Sequence, residues 1–154
     1  MVLEIKRSKT IIVLFVIMIV VTTFFSGCIF RNRDDPNTEI RSIEYDGFIR
    51  TYRVHIPRNY DSSVSNALVF VLHGGSGSGE NMENGLTQQG FNTLARKNNL
   101  IVAYPDGIDN RWNDGRQNLT DNQSFYDIDD VGFLTLLIDA LSDEFKIKNN
   151  NVFF

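Results

Sequence analysis

Leu68-Val69-Phe70-Val71-Leu72-His73-Gly74-Gly75-Ser76-Gly77-Ser78-Gly79 is the stretch that decides the fold. Its first five residues continue an apolar run from Ala67, and such a run is typical of a strand buried on both faces of a sheet. The run then breaks abruptly into glycines and serines, whose backbone is free to turn. A second apolar run, Leu100–Tyr104, ends in the same manner at Pro105-Asp106-Gly107. The two runs predict a buried sheet with loops at its strand ends.

The segment before the first buried run predicts a β-hairpin. Ile40–Tyr45 and Phe48–Ile56 flank Asp46-Gly47, which is a strong signal for a two-residue hairpin turn. In the second of these strands apolar residues alternate with Arg53 and His55, which predicts that the face carrying these two residues is exposed to solvent.

Helical patterns follow each buried run. Asn81–Asn98 carries a loose apolar stripe, although Gly85 and Gly90 weaken it. Beyond a long polar loop, Asp129 and Asp130 precede an apolar series of period 3.6, formed by Val131, Phe133, Leu134, Leu137, Leu141 and Phe145. We interpret the two aspartates as a helix N-cap and its dipole-stabilised neighbour rather than as catalytic carboxylates. Asn149–Asn151 would end this helix and Val152–Phe154 would begin a last strand. The pattern predicts an α/β fold with an opening antiparallel hairpin, a mostly parallel sheet and flanking helices.

The N-terminus has the features of an export signal. Lys6, Arg7 and Lys9 precede an uncharged apolar run from Ile11 to Phe25, and small residues follow at Ser26-Gly27-Cys28. Cys28 stands where a lipoprotein signal places its lipidated cysteine, although Phe25 occupies a position that is usually aliphatic. The alternative is an uncleaved anchor helix, for which the run is short. We favour cleavage and lipidation, and either outcome places the domain outside the cytoplasmic membrane.

These features divide the chain of 154 residues into a signal over residues 1–27, a polar tether over 28–38 and a partial α/β domain over 39–154. Residues 28–154 contain 12 basic and 18 acidic residues, a net charge of −6. That balance argues against a nucleic-acid partner, since phosphate binding needs a basic face. The lone cysteine excludes an intrachain disulfide. No cofactor or metal site is expected, because Asp129 and Asp130 lack further ligands at suitable spacing.

The glycine-rich segment fails three well-known motifs. A P-loop needs Gly-Lys-Ser/Thr at its end, but Gly79 is followed by Glu80. Neither pair of alternate glycines is completed as a dinucleotide-binding G-x-G-x-x-G motif. A G-x-S-x-G nucleophile elbow fails in register, because Gly77 stands at the centre of Gly75–Gly79. What remains is His73-Gly74-Gly75 after a buried strand, which fits two interpretations: a flexible loop with a structural histidine, or backbone N–H groups that face a cavity.

Five short pieces in order resemble the secreted esterases of the polyhydroxybutyrate depolymerase and feruloyl esterase group, which are α/β-hydrolases. They are Arg50-x-Tyr52-x-Val54-x-Ile56-Pro57, Leu72-His73-Gly74, Tyr104-Pro105-Asp106-Gly107, Trp112-Asn113 and Asp129-Asp130-Val131-Gly132-Phe133. The resemblance covers roughly Ile40 to Phe154. It implies cleavage of a carboxylic ester, either a polyester or an aromatic or acyl ester, by a Ser-His-Asp triad. It also implies a sheet in which the first five strands lie in the order first, second, fourth, third, fifth.

The resemblance assigns roles to several residues. The backbone around Gly74 and Gly75 would form half of an oxyanion hole, with Gly75 as the best single donor and Ser76 next. His73, Trp112 and Asn113 would border the substrate cleft; for Trp112, covering the edge of the core is an equal alternative.

The chain departs from the family at its C-terminus. In the family a strand that matches Asn151–Phe154 leads directly into Gly-x-Ser-x-Gly, and here none of the triad is present. His55 and His73 are not expected to replace the missing base. We expect a truncated member of the family, inactive by itself; the alternative is a non-catalytic surface lipoprotein that binds polymer or glycan through the Trp112 loop. A Gly-x-Ser-x-Gly codon series shortly after the Phe154 codon would support the truncation.

Overall fold

A computed structural model describes residues 34–64, 66–115 and 128–154. The predicted signal, Cys28 and most of the predicted tether lie outside this part of the chain. Within it are five strands: β1 (Thr38–Tyr45), β2 (Phe48–His55), β3 (Ala67–Phe70), β4 (Leu100–Pro105) and β5 (Val152–Phe153). A π-helix spans Asn81–Leu86, and the two α-helices are α1 (Gly90–Asn98) and α2 (Asp130–Phe145). Short 3₁₀ turns cover Ile108–Asn110 and Asn149–Asn151.

The five strands form one sheet in the order β1-β2-β4-β3-β5. This is the order that the family resemblance predicted. β1 and β2 form the predicted hairpin around Asp46 and Gly47, which both have positive φ angles as a type I′ turn requires. β3 pairs in parallel with β4 and with β5, but β2 pairs with β4 antiparallel. The sheet is therefore mixed: β3, β4 and β5 form the predicted parallel part, and the opening hairpin joins it through the antiparallel pair of β2 and β4.

The main apolar core lies between one face of the sheet and α2. Phe133, Leu137 and Leu141 of α2 are fully or almost fully buried. They pack against the buried side chains of three strands, which are Tyr52, Val54, Leu68, Phe70, Ile101 and Ala103. The predicted period of 3.6 is confirmed, except that Val131 in the first turn is 77% exposed. The helix also ends earlier than predicted, at Lys146, which adopts the left-handed conformation at φ 53°.

The other face of the sheet is also covered by helices, so the prediction that β2 has a solvent-exposed face is wrong. Arg53 and His55 are buried, at 5% and 0% exposure. The alternating pattern misled because polar side chains can be buried when they find polar partners. Those partners come from the π-helix and α1, which lie over this face and contribute the buried side chains Glu83 and Asn92.

A further expectation is corrected in this part of the chain. The helical stripe over Asn81–Asn98 is two helices, because Gln88 and Gln89 have positive φ angles and break the path between them. In the predicted tether, Asp35 is buried and β1 begins at Thr38, the last residue of that segment. No helix within residues 34–64, 66–115 and 128–154 is long and apolar enough to cross a membrane.

Candidate functional site

The glycine loop, residues 73–79, follows β3 at the carboxyl end of the parallel strands. The ladder extends one residue past β3, since the N–H of Val71 donates to the carbonyl of Ala103 at 2.9 Å. After this bond the backbone leaves the sheet, and Gly74, Gly75 and Ser76 are exposed. The loop is therefore presented to solvent on the end of a buried strand, where the open face of an α/β sheet binds ligands.

The backbone N–H groups of the glycine loop divide into engaged and open donors. Gly77 donates to the carbonyl of Gly74 at 3.1 Å, Ser76 to that of Asn110 at 2.9 Å, and Gly79 to the Asp106 carboxylate at 2.7 Å. Among the described residues, the N–H groups of Gly74 and Gly75 have no acceptor. Gly75 and Gly74 are thus placed to donate to a ligand, whereas Ser76 would first have to exchange its bond to Asn110. The predicted oxyanion role of these residues stays a prediction.

His73 holds the base of this loop and is 4% exposed. Its Nε2 accepts a hydrogen bond from the backbone N–H of Gly107 at 2.9 Å, so that nitrogen carries no proton. The proton must therefore be on Nδ1, which donates to the carbonyl of Gly74 at 2.7 Å. Because backbone groups bond to both ring nitrogens, His73 joins the glycine loop to the segment that contains Gly107. Its predicted place at the border of the substrate cleft stays a prediction.

Trp112 and Asn113 reach the same place from a second segment, the crossover loop over residues 106–113. The Trp112 indole N–H donates to the carbonyl of His73 at 2.9 Å, and the two rings lie 4.9 Å apart. Asn113 donates from its side chain to the carbonyl of Ile128 at 3.0 Å. Trp112 is half-buried against the core, so the structure supports its packing role and leaves its predicted contact with substrate untested.

A buried ion pair supports the crossover loop. The Arg50 guanidinium lies 2.6 Å from the Asp130 carboxylate, and both side chains are buried. The other Asp130 oxygen accepts from the backbone N–H of Asn113 at 2.6 Å, and Arg50 also donates to the carbonyl of Asp106 at 3.3 Å. The Arg50 guanidinium packs 3.9 Å from the centre of the Phe133 ring.

The neighbouring Asp129 confirms the predicted N-cap. Its carboxylate accepts from the backbone N–H of Gly132 at 2.8 Å and from the Tyr45 hydroxyl at 2.7 Å. The Tyr45 hydrogen bond, reinforced by that from Gly132, holds the pKa of the Asp129 carboxyl below its usual value. Asp129 is therefore a structural residue, which agrees with the interpretation drawn from the sequence.

Sequence reasoning missed Arg50, Asp106 and Asp130 as members of this site. Arg50 and Asp106 were noticed only as parts of family motifs, and Asp130 only as a neighbour of the cap. One available signal was Arg50 itself, a charged residue on a strand predicted to be half buried, which requires an acidic partner. The partner is 80 positions away in sequence, so the pairing depends on how α2 packs.

A second polar cluster lies on the opposite face of the sheet and is called here the Glu83 cluster: Asp34, Asp35, Thr38, Arg53, His55, Glu83, Asn92, Arg96 and Tyr104. The Glu83 carboxylate accepts from Arg53 at 2.6 Å, from Asn92 at 2.8 Å and from the Thr38 hydroxyl. Because that hydroxyl donates to Glu83, it accepts from His55 Nδ1, and His55 Nε2 is a buried atom with no partner among the described residues.

Burial and hydrogen bonding shift the pKa values of His55, Asp35 and Tyr104 in the Glu83 cluster. Burial lowers the pKa of His55, although the charges of Asp35 and Glu83 act in the opposite direction. Burial also works to raise the pKa of Asp35, but hydrogen bonds from Asn37 outweigh it and hold that pKa below its usual value. Burial raises the pKa of the Tyr104 hydroxyl, which donates to Asn92 at 2.7 Å. The cluster joins Asp34 and Asp35 to the hairpin, the π-helix and α1.

Within residues 34–64, 66–115 and 128–154, neither histidine makes a hydrogen bond to a serine hydroxyl. His55 belongs to the Glu83 cluster, and both ring nitrogens of His73 are bound by backbone groups. The Ser78 hydroxyl bonds to Asn81 instead, at 3.1 Å. In the part of the chain that is described, no group of three or more His, Cys, Asp or Glu residues could hold a metal ion.

Comparisons with known proteins point to esterases. No protein-family model matches the chain. The curated protein named "Putative esterase NocK", from Nocardia uniformis subsp. tsuyamanensis, is 29% identical over 120 residues, which make up 77% of this chain and 33% of that protein. A solved structure titled as the crystal structure of a thermostable esterase matches with a TM-score of 0.54 at 18% identity, over 75% of this chain and 33% of that one.

The chain therefore resembles an esterase in sequence and shares the fold of another over three-quarters of its length. It spans about a third of the length of the curated relative that it matches. Both matches are to proteins described as esterases, so they do not favour the alternative of a non-catalytic binding lipoprotein.

Proposed function

We propose that this chain is the oxyanion-loop portion of a carboxylic-ester hydrolase of the α/β-hydrolase type. The observation that carries the proposal is the glycine loop, in which the N–H groups of Gly74 and Gly75 are open and exposed at the end of a buried parallel strand. A loop of this kind supplies hydrogen-bond donors to the negative oxygen that develops when an ester carbonyl is attacked. The similarity to two esterases supports the same reaction class.

The reaction would be acyl transfer to a serine, followed by hydrolysis. A serine hydroxyl, deprotonated by a histidine that an aspartate orients, attacks the ester carbonyl, and the alkoxide or phenoxide leaving group takes up the proton. These three residues would belong to a longer protein and not to this chain. We further propose, from the five motifs around Arg50, His73, Asp106, Trp112 and Asp129, that the substrate is a polyester or an aromatic ester, as in the polyhydroxybutyrate depolymerase and feruloyl esterase group.

The first test uses the chain alone. The full chain should hydrolyse p-nitrophenyl esters no faster than buffer, because the open donors stabilise a charge that no nucleophile generates. Turnover that disappears in Ser76→Ala or Ser78→Ala would contradict this expectation and would place the nucleophile in the glycine loop.

The second test uses the coding sequence that follows the Phe154 codon. If it encodes Gly-x-Ser-x-Gly, the longer product should hydrolyse the same esters. In that product Gly75→Pro removes the proposed donor and should lower kcat by about 10²- to 10³-fold. Gly75→Ala is the matched control, since its Cβ would meet no atom within 4 Å and the N–H is kept. Equal activities for the two variants would reject Gly75 as an oxyanion donor.

We also propose that the domain is exported and held at the outer side of the cytoplasmic membrane through Cys28. Lipidation of this cysteine with two acyl chains would give stable anchoring, whereas one chain would bind only weakly. Membrane fractionation and labelling with a fatty-acid analogue should therefore differ between the wild type and Cys28→Ala. Identical labelling and fractionation would reject the lipidation.

A further inference from the structure

We propose that the buried Arg50–Asp130 ion pair positions the glycine loop through the crossover loop. The inference rests on the proposed function for its catalytic meaning, but its structural content can be tested without it. Arg50 and Asp130 touch no residue of the glycine loop themselves, so they would be positioning residues rather than catalytic ones.

The ion pair reaches both ends of the crossover loop. At the first end Arg50 donates to the carbonyl of Asp106 at 3.3 Å. At the other end Asp130 accepts from the backbone N–H of Asn113 at 2.6 Å. The two charged groups are joined at 2.6 Å and are nearly inaccessible to water, at 2% and 7% side-chain exposure. The ion pair therefore links the two ends of the loop through one buried contact.

The crossover loop in turn bonds the glycine loop at four points. Gly107 donates to the ring of His73, and Trp112 donates to the carbonyl of the same residue, both at 2.9 Å. Asn110 accepts from Ser76 at 2.9 Å, and Asp106 accepts from Gly79 at 2.7 Å. These bonds lie on both sides of the open donors Gly74 and Gly75. A shift of the crossover loop would thus move the donors, and a displacement of about 1 Å can cost a factor of about 10² in rate.

The four points should not respond equally to loss of the ion pair. Asp106 has a second support, because Thr51 donates to its carboxylate at 2.7 Å and accepts from its backbone N–H at 3.0 Å. At the other end the Asn113 side chain donates to the carbonyl of Ile128, but the backbone N–H of Asn113 donates to the Asp130 carboxylate, and this backbone bond is lost with the pair. Loss of the pair should therefore loosen the bonds made by Trp112 and Asn110 and leave the bond between Gly79 and Asp106 in place.

The Arg50–Asp130 pair is expected to stabilise the fold little more than a pair of apolar residues would. Arg50 Nε is buried and has no hydrogen-bond partner among the described residues, so the guanidinium is only partly satisfied. Buried ion pairs of this kind can commonly be replaced by apolar residues of similar volume without loss of stability. The double variant Arg50→Met/Asp130→Leu should accordingly fold, while its crossover loop loses both anchors.

Trp112 makes the test direct, because it is the chain's single tryptophan and lies at the contact between the two loops. In the full chain, the double variant should shift the Trp112 emission to longer wavelength and alter its near-ultraviolet circular dichroism. Hydrogen exchange of the Ser76 amide and the Trp112 indole N–H should become at least about tenfold faster, and that of the Gly79 amide should change less than about twofold.

The matched control removes the other buried ion pair of the sheet, by Arg53→Met/Glu83→Leu. This pair has the same N···O distance of 2.6 Å but belongs to the Glu83 cluster on the opposite face. The control should leave the Trp112 emission and the Ser76 exchange rate as in the wild type. If the first double variant fails to fold, Arg50→Lys keeps the charge with fewer donors, and the same changes should appear at smaller amplitude.

Unchanged Trp112 emission and Ser76 exchange in a folded Arg50→Met/Asp130→Leu or Arg50→Lys chain would overturn the inference. Equal changes in the control would also overturn it, since they would show a general loosening. In the longer hydrolase of the proposed function, the same double variant should lower kcat more than it changes KM. Spectroscopic changes without any ester hydrolysis in that protein would instead reject the function and keep the positioning role.

Discussion

Removing the charge of Glu83 should destabilise the fold more than any substitution at a surface ion pair. The side chain is completely buried, and its two oxygens accept hydrogen bonds from Arg53, Asn92 and Thr38. In Glu83→Gln one oxygen becomes an amide N–H₂ group, which must face at least one of these donors. The buried Arg53 guanidinium also loses its one fully buried counter-charge among the described residues and keeps only the exposed Asp34 carboxylate.

The expected loss in the free energy of unfolding is about 3–5 kcal/mol, which is typical when one partner of a buried ion pair is removed. Domains of this size have a total of about 5–15 kcal/mol, so the variant should be near the limit of folding. Because much of the cost arises from an Arg53 guanidinium that has lost its buried carboxylate, the double variant Arg53→Met/Glu83→Leu should recover most of it. The coupling energy between the two positions should exceed about 2 kcal/mol.

Urea unfolding followed by circular dichroism measures these free energies for Glu83→Gln, for the single variants Arg53→Met and Glu83→Leu, and for the double variant that combines those two. The control is Glu39→Gln, which removes a carboxylate with 56% side-chain exposure from its ion pair with Arg41. That change should cost less than about 1 kcal/mol. A loss below about 1 kcal/mol in Glu83→Gln, or additive effects at the two positions, would refute the reasoning that the Glu83 cluster stabilises the covered face.

Three further predictions concern the pH dependence of stability, the space around Gly79 and the exposed edge strand β5. Burial lowers the pKa of His55 below its unfolded value of about 6.5, so below that pH the unfolded chain binds a proton that the folded chain does not. The free energy of unfolding should therefore be constant above pH 6.5 and fall below it by up to about 1.4 kcal/mol per pH unit. Urea unfolding between pH 5.5 and 7.5 should show this slope in the wild type and not in His55→Gln. Gly79→Ala should destabilise strongly because its Cβ would collide with the carbonyl of Tyr104, whereas Gly74→Ala, whose Cβ meets nothing within 4 Å, should melt within a few degrees of the wild type. Phe153 of the edge strand β5 and the next residue, Phe154, are 53% and 71% exposed, so the chain should bind a hydrophobic dye and aggregate. Phe153→Lys should reduce dye binding and aggregation without lowering the melting temperature. A monodisperse wild type that does not bind the dye would contradict this.

Local sequence signals predicted the elements that depend on near neighbours. The Asp46-Gly47 hairpin and the Asp129 cap were correct because each is decided by residues within one turn of backbone. The buried runs that became β3 and β4 were also correct, since a continuous apolar run has few alternatives to a central strand. The strand order came from the family resemblance and not from the pattern of residues.

The errors have a common cause, which is polar burial between distant segments. His55 and Arg53 looked solvent-exposed because nothing near them in sequence showed that the π-helix would cover them with Glu83. The Arg50–Asp130 pair was missed for the same reason. At the candidate site, the glycines suggested the open donors, but only the structure revealed that the backbone occupies both nitrogens of His73.

The mixed pairing of β4 has a consequence for folding during synthesis. The β1–β2 hairpin can close within microseconds once its residues are available, since its partners are adjacent in sequence. The next partner of β2 is β4, which begins at Leu100, about 45 residues after β2 ends, so a ribosome adding about 5–20 residues per second needs about 2–9 seconds to supply it. During that interval the hairpin would have an unpaired edge on β2, and we expect the polar side chains of Thr51 and Arg53 to disfavour aggregation at this edge.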